Sequence, residues 1–248
     1  MRLRRGDVKT LHDPEAVRRQ YASEGGLVAR SSLYSETTGP YAGDVAFAAL
    51  AEVLPRCFLE VGCGSGWFAA RVRDELGSVV SVVDQSERMV GLARERGLDA
   101  RVGDVQSLEF DDGAFDSAAA NWMLYRVPEI DRGLRELARV LAPGGRLVAV
   151  TNGHDHLLEL WALVGADEAR VARQMTFAAE NGAELLRQHF PRVTVRDAGG
   201  TVTIRDRDVI IRYLRSMETW APFADELPAV LLLPIVARRS NVVFVADK

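Results

Sequence analysis

One stretch, Phe58-Leu59-Glu60-Val61-Gly62-Cys63-Gly64-Ser65-Gly66-Trp67-Phe68, restricts the possible folds of this chain more than any other. The apolar run Cys57 to Val61 reads as a buried strand with an acid near its end. A Gly-x-Gly-x-Gly turn follows, and a helical pattern opens at Trp67. Glycines belong where a chain turns sharply or its backbone must lie flat against a ligand, because a Cβ would clash or forbid the dihedrals. Strand, glycine turn and helix in this order make the ligand-binding edge of a doubly wound α/β sheet. A dinucleotide fingerprint needs one more glycine three residues after Gly64, to let helix and strand approach and to seat a pyrophosphate. Trp67 stands there, which argues against a nicotinamide oxidoreductase. What remains is a glycine turn with a carboxylate, Glu60, suited to a cationic or hydroxylated ligand.

From Cys57 onward strand and helix patterns alternate. Trp67 to Leu76 reads as a helix closed by Gly77, Val79 to Val83 as a buried strand ending at Asp84, and Glu87 to Arg96 as a helix capped by Ser86. Ala100 to Val102 and Phe115 to Ala120 are further strands. Glu129 to Ala142 is amphipathic, and Pro143-Gly144-Gly145 breaks it before the strand Leu147 to Val150. Such alternation implies right-handed crossovers and a parallel sheet. Outside this span the pattern is looser. Asp13-Pro14-Glu15 starts a helix expected to stop at Gly25-Gly26, and a polar link carrying Arg30, Tyr34 and Tyr41 leads to a helix at Val45 to Leu54. After Thr151 the spacing predicts helices over Leu157 to Arg173, Asn181 to Phe190 and Asp208 to Met217. Strands are expected at Val193 to Arg196 and Val202 to Ile204 around Gly199-Gly200, and a last one at Val242 to Ala246.

At 248 residues the chain can bury a substantial core. The formal net charge is −4 with no basic stripe beyond a few arginines at residues 2 to 5, so nucleic acid is not an expected partner. No apolar run reaches the length of about 18 that a spanning helix needs, and the N-terminus lacks a secretory apolar core, so no membrane partner and a cytoplasmic location are expected. Cys57 and Cys63 flank one strand too closely for an easy disulfide and lie in no metal-ligand spacing. No metal is expected.

Glu60, Asp84, Asp104 and Asn121 fall at the carboxyl ends of successive predicted strands, which share one edge of an open sheet. Asp84 lies roughly twenty residues past the glycine turn, where a carboxylate accepts from ribose hydroxyls. Together with Val83-Asp84-Gln85-Ser86, Met89, Gly103-Asp104, Phe115-Asp116, Asn121-Trp122-Met123-Leu124-Tyr125 and Leu141-Ala142-Pro143-Gly144-Gly145, this ordered set closely resembles the class I S-adenosylmethionine-dependent methyltransferases over about residues 45 to 151. The resemblance implies an α/β fold: a doubly wound, seven-stranded, mostly parallel Rossmann-like sheet whose last strand is antiparallel. Residues 1–44 would form an N-terminal helical lid, 45–151 the cofactor-binding core, and 152–248 the rest of the fold with helices roofing the substrate.

It further implies S-adenosylmethionine (SAM) as cofactor and S-adenosylhomocysteine as product. Glu60 would orient the amino group, the backbone at Gly62, Gly64 and Gly66 would pass beneath the ligand, and Asp84 would bind the ribose. Gln85 would pack on the adenine, Asp104 with the Val105 backbone would read its edge, and Asn121 would sit beside the methionine chain. The acceptor would be a small molecule methylated on oxygen or nitrogen, for example a secondary metabolite. Tyr21, Arg30, Trp122 and Tyr213 are the substrate-binding candidates. His154 and His156, in the loop after the fifth core strand, are the proton acceptors expected nearest the site. Tyr125 stands where many relatives of the ubiquinone-methylating branch carry His, and is a third catalytic candidate. The rival from another class is a non-catalytic binding or scaffold protein on the same fold.

Overall fold

Alternate residues of each central strand point to opposite faces of the sheet, and both faces are apolar, so each must be covered by helices. The computed structural model describes residues 25–248 together with Leu11, Asp13, Glu15, Arg19 and Gln20. Its strands are β1 (Cys57–Val61), β2 (Val79–Asp84), β3 (Asp99–Val102), β4 (Phe115–Asn121), β5 (Leu141–Asn152), β6 (Arg192–Asp197), β7 (Gly200–Ile204), β8 (Ile235–Arg239) and β9 (Asn241–Asp247). Seven of them form one sheet in the order β3-β2-β1-β4-β5-β9-β6, while β7 and β8 form a separate antiparallel pair. The five strands β1 to β5 are parallel, and β9 runs antiparallel between β5 and β6.

The described helices are α1 (Gly25–Leu33), α2 (Ala42–Ala51), α3 (Trp67–Leu76), α4 (Glu87–Glu95), α5 (Ile130–Val140), α6 (Leu158–Ala162), α7 (Glu168–Ala172), α8 (Gly182–Arg187) and α9 (Arg207–Arg215). On one face α2, α3 and α4 pack through Leu50, Val72 and Val90 against Phe58, Val82 and Val245. On the other, Leu134 and Leu137 of α5 and Leu186 of α8 meet Leu59, Ala118 and Phe244. Phe58, fully buried, is stabilised by about 1.5–3 kcal/mol through that burial. Ser86 caps α4, its Oγ accepting from the Met89 N–H at 3.3 Å. A third apolar cluster, separate from the sheet, joins α1, α6 and α9 to β7, β8 and Trp220. It is the roof over the carboxyl ends of the strands.

Three expectations needed correction, all outside the regular core. Gly25-Gly26 does not stop a helix but opens α1, so Arg30 lies on a helix and not in a link. A Cβ on Gly26 would lie 3.6 Å from the Ser216 carbonyl just past α9, an ordinary van der Waals contact. The single helix expected over Leu157 to Arg173 is two short ones, broken around Gly165 and restarted where Asp167 Oδ1 accepts from the Arg170 N–H. The strands expected on either side of Gly199-Gly200 are both present, β6 pairing with β9 and β7 with β8. Strand β8 lies inside the proline-punctuated apolar stretch that carried no strand reading. Its partner in the sequence is distant, and pairing, not propensity, makes it a strand. No helix among the described residues is long and apolar enough to cross a membrane.

Candidate functional site

The carboxyl ends of β1 to β4 and the roof enclose a cavity of about 700 Å³. Glu60 is only 2% exposed at its floor. Its Oε1 accepts from Asn121 Nδ2 at 3.1 Å, while its Oε2 and Asn121 Oδ1 have no partner. Burial pushes the Glu60 carboxyl up to about 8, with the charge of Asp84 adding, against the Asn121 bond and the backbone N–H of Ala69. Two buried acceptors without donors are costly, by about 1–3 kcal/mol each. A cationic ammonium group is the donor they fit. Asp84 at the end of β2 accepts from the Gly64 N–H on Oδ2 and from the Ser86 N–H on Oδ1, both at 2.9 Å. Burial raises its carboxyl, and these backbone donors oppose the rise. Each oxygen keeps a lone pair for a ligand hydroxyl. Asp104, after β3, is held by the Gln106 N–H at 2.9 Å and by the Gln106 side chain.

The turn between β1 and α3 is shaped by contact and by backbone. Gly62 takes φ +66, and a Cβ there would sit 2.7 Å from Cβ and Cγ of Met123. Gly64 takes φ +54, and its missing Cβ would meet nothing within 4 Å, so the bare backbone faces open cavity. Trp122, directly after β4, adopts φ +52, a region bulky residues enter only when their surroundings force it. Its N–H donates to the Val150 carbonyl, and its ring lies 6.0 Å from that of Tyr41.

The roof contributes different chemistry. His156 is 6% exposed. Its Nδ1 accepts from the Ser240 N–H at 3.1 Å, and its Nε2 lies 3.0 Å from Tyr34 Oη. A backbone N–H can only donate, so the neutral ring carries its proton on Nε2 and donates it to Tyr34. Burial, reinforced by the Arg239 charge, brings the imidazole down to about 4. Neither ring nitrogen is free to take a proton from a ligand. Burial likewise raises the Tyr34 phenol, takes that of Tyr213 to about 12, and raises the Cys63 thiol at the turn. Arg239 on β8 is 5% exposed; its Nη2 donates to the carbonyls of Thr38 and Pro40 at 2.8 and 3.0 Å.

Of the residues expected at the site, Glu60, Gly62, Gly64, Asp84, Gln85, Asp104, Val105, Asn121, Trp122, Tyr125, Arg30, Tyr213 and His156 all line this one cavity. Gly66 lies behind the turn, against Ala93 and Leu98. His154 is not brought to the cavity: its N–H donates to Glu180 Oε1 at 2.9 Å and its Nδ1 lies 3.4 Å from Oε2. Tyr21 lies outside the described residues. Sequence reasoning missed Arg239, which lines the wall. The signal was present, since Ala237 and Arg239 share the buried face of β8 at a spacing of two. Among the described residues no group of three or more His, Cys, Asp or Glu could hold a metal ion.

A sheet in this order, with an antiparallel strand second from its edge and acids along the ends of β1 to β3, is the Rossmann-like arrangement shared with solved methyltransferase structures. Residues 59–149 match the family described as methyltransferase domain. Among relatives, the malonyl-[acyl-carrier protein] O-methyltransferase of Erwinia pyrifoliae is 33% identical over 165 residues, 64% of this chain and 60% of that one. A ubiquinone biosynthesis O-methyltransferase of Xanthomonas oryzae is 34% identical over 116 residues, covering 44% of this chain and 48% of the other. The chain therefore spans only about half to three fifths of the relatives it matches. Among solved structures, the [4+2]-cyclase SpnF superposes with a TM-score of 0.64 at 19% identity, over 98% of this chain and 99% of that one. That likeness concerns the fold.

Proposed function

We propose that this protein is a SAM-dependent methyltransferase acting on oxygen or nitrogen of a small-molecule acceptor. The observation that carries the reading is the pair of buried acceptors without donors, Glu60 Oε2 and Asn121 Oδ1, beside Asp84. When bound, the cofactor supplies a methyl group on sulfonium, whose departure leaves a neutral thioether. The chain's own part is to bind and orient. Glu60 and Asn121 take the ammonium, Asp84 the ribose hydroxyls, Gln85 the adenine face, and Asp104 with the Val105 N–H the adenine edge. Carboxylates suit a doubly cationic nucleoside better than a helix N-terminus would.

Positioning and exclusion of water then do most of the remaining work. Trp122 and Tyr125 on the floor, with Trp161, Tyr213 and Trp220 above, line an acceptor space of aromatic character. Residues 25–44, within the segment read as a lid, run along this space and contribute Arg30, Tyr34 and Tyr41 to its wall. The reading extends to a cytoplasmic enzyme with no nucleic-acid partner. O-methylation, named for both relatives above, supports oxygen as the acceptor atom.

Titration with S-adenosylhomocysteine followed by calorimetry tests the cofactor half, with micromolar binding expected. Absence of binding to either SAM or its product would end the reading. The engaged state of His156 favours one alternative, a protein that holds the nucleoside without transferring its methyl. Tight cofactor binding with no methyl released to any acceptor in a broad chemical panel is the result that would favour it.

A further inference from the structure

The charged groups lining the cavity are sorted by sign. The carboxylates Glu60, Asp84 and Asp104 stand at the ends of β1, β2 and just past β3. The guanidinium groups are Arg30 on α1, Arg126 in the turn after β4, and Arg239 on β8. Their charges are felt by the roof: Arg30 and Arg126 act on the Tyr213 phenol, and Arg239 on Tyr34 and His156. A single cavity with acids on its floor, and with Arg30 and Arg239 on the opposite wall, is shaped for a cation below and an anion above.

Arg239 makes the second half of that statement specific. It is 95% buried by its 5% exposure, and no carboxylate among the described residues is within ion-pair distance. Its Nη2 is occupied by two carbonyls that hold the 38–40 segment, whereas its buried Nε has no partner at all. A guanidinium buried with an idle donor is expensive unless an anion completes it. Tyr34 is already engaged on both sides: its oxygen accepts from His156 and its hydroxyl is hydrogen-bonded to Tyr213. The upper cavity also carries an apolar wall, made by Val171, Met175, Met217 and the stacked pair Trp161 and Trp220, 4.5 Å apart, with Gln174 among them.

We propose that the acceptor molecule is an organic acid, an apolar or aromatic body with one carboxylate, and that this carboxylate pairs with Arg239 under the roof. The proposal rests on the methyltransferase reading for the word acceptor, but Arg239 and its cavity belong to the chain itself. It also accounts for a site with no free base near the roof, since a molecule that arrives ionised needs none to bind.

The test uses the full chain and four acids, hexanoate, octanoate, benzoate and cinnamate, each paired with its neutral amide, plus phenyl phosphate. Each is titrated calorimetrically into the protein with and without saturating S-adenosylhomocysteine. At least one acid is expected to bind, with its amide more than tenfold weaker. Arg239→Gln should weaken that acid more than tenfold while S-adenosylhomocysteine affinity stays within threefold, and Arg239→Lys should recover part of the loss. Equal binding of acid and amide, binding of none of the acids, tighter binding of phenyl phosphate alone, or an unchanged acid affinity in a folded Arg239→Gln would each overturn the proposal. The acid–amide comparison needs no variant, so a misfolded Arg239→Gln leaves it decisive. Failure of S-adenosylhomocysteine to bind the wild type would sink the cofactor reading alone, because the acids are also titrated without it.

Discussion

The floor and the roof of the cavity hold comparable charge but are built on opposite principles. Every acid on the floor sits at or just beyond the end of a strand and is held by groups on the same sheet rim: Asp84 by the N–H groups of Gly64 and Ser86, Asp104 by Gln106, and Glu60 by the Asn121 amide at the end of neighbouring β4. On the roof, groups far apart in sequence meet: Tyr34 with His156 at a separation of 122 residues, Arg239 with Thr38 at 201. The floor is assembled from adjacent strand ends of one sheet, the roof from segments distant in sequence joined by both hydrogen bonds and packing. The difference teaches that one fold can keep its cofactor end while rewriting its acceptor end, because little on the floor depends on the roof's particular contacts.

The sharpest way to break this comparison is to damage the roof and watch the floor. Trp161 is buried, stacks on Trp220 and donates from Nε1 to the His156 carbonyl at 2.9 Å. Trp161→Ala should lower stability by about 3–5 kcal/mol in denaturant unfolding, with S-adenosylhomocysteine affinity changed less than threefold. A parallel collapse of that affinity would show the two ends to be one unit. The converse experiment is Asp84→Ala, which removes the acceptors offered to the ribose. It should weaken S-adenosylhomocysteine about 100-fold, or about 2.7 kcal/mol, while acid binding without cofactor persists.

The floor and the roof carry pH signatures of opposite sign. With the Glu60 carboxyl at about 8 against an ordinary 4.5, the folded, unliganded protein binds a proton that the unfolded chain releases. Its contribution to stability is full below about 4.5 and is lost as pH rises through about 8. Binding of an ammonium demands the ionised form, so S-adenosylhomocysteine affinity should rise between pH 6 and 8 with release of a proton, visible as a buffer-dependent calorimetric enthalpy. Glu60→Gln should flatten that dependence and weaken binding at pH 8 about tenfold, roughly 1.4 kcal/mol. His156 has the opposite sign: depressed to about 4, it contributes stability above about 6.5 that is lost as pH falls toward 4. The smallest effect should come from His154→Ala, which removes a contact to Glu180 away from the cavity. Methyl transfer, measured by release of S-adenosylhomocysteine, should change less than about twofold.

The same contrast decides how much could be read from residue order. Strand, glycine turn and helix are adjacent in sequence from Cys57 to Leu76, so local pattern sufficed for β1, α3 and for Ser86 as the cap of α4. The acids of the floor followed, because strand ends in a parallel sheet share an edge. Nothing local says that Val202 would pair with Ala237 and not with a strand across Gly199-Gly200. Nor does the loop Thr151 to His156 reveal that one histidine turns inward to Tyr34 and the other outward to Glu180. Those outcomes depend on which distant surface each side chain meets. Arg239 was obscured for a simpler reason: beside Arg238 in a short segment, it has the look of a solvated pair until the alternation of β8 is known.

Strand β9 has a consequence for how the molecule can be made. Lying between β5 and β6, it is the strand through which β6 joins the sheet among the described residues. A growing polypeptide leaving the ribosome can zip β1 to β5 by short crossovers, but β6 must wait, unpaired, until residues 241–247 have emerged. During that interval the flank of β5, with its run Leu147-Val148-Ala149-Val150, is an open hydrophobic edge. The exposure of that edge until the final segment arrives is a consequence of this strand order.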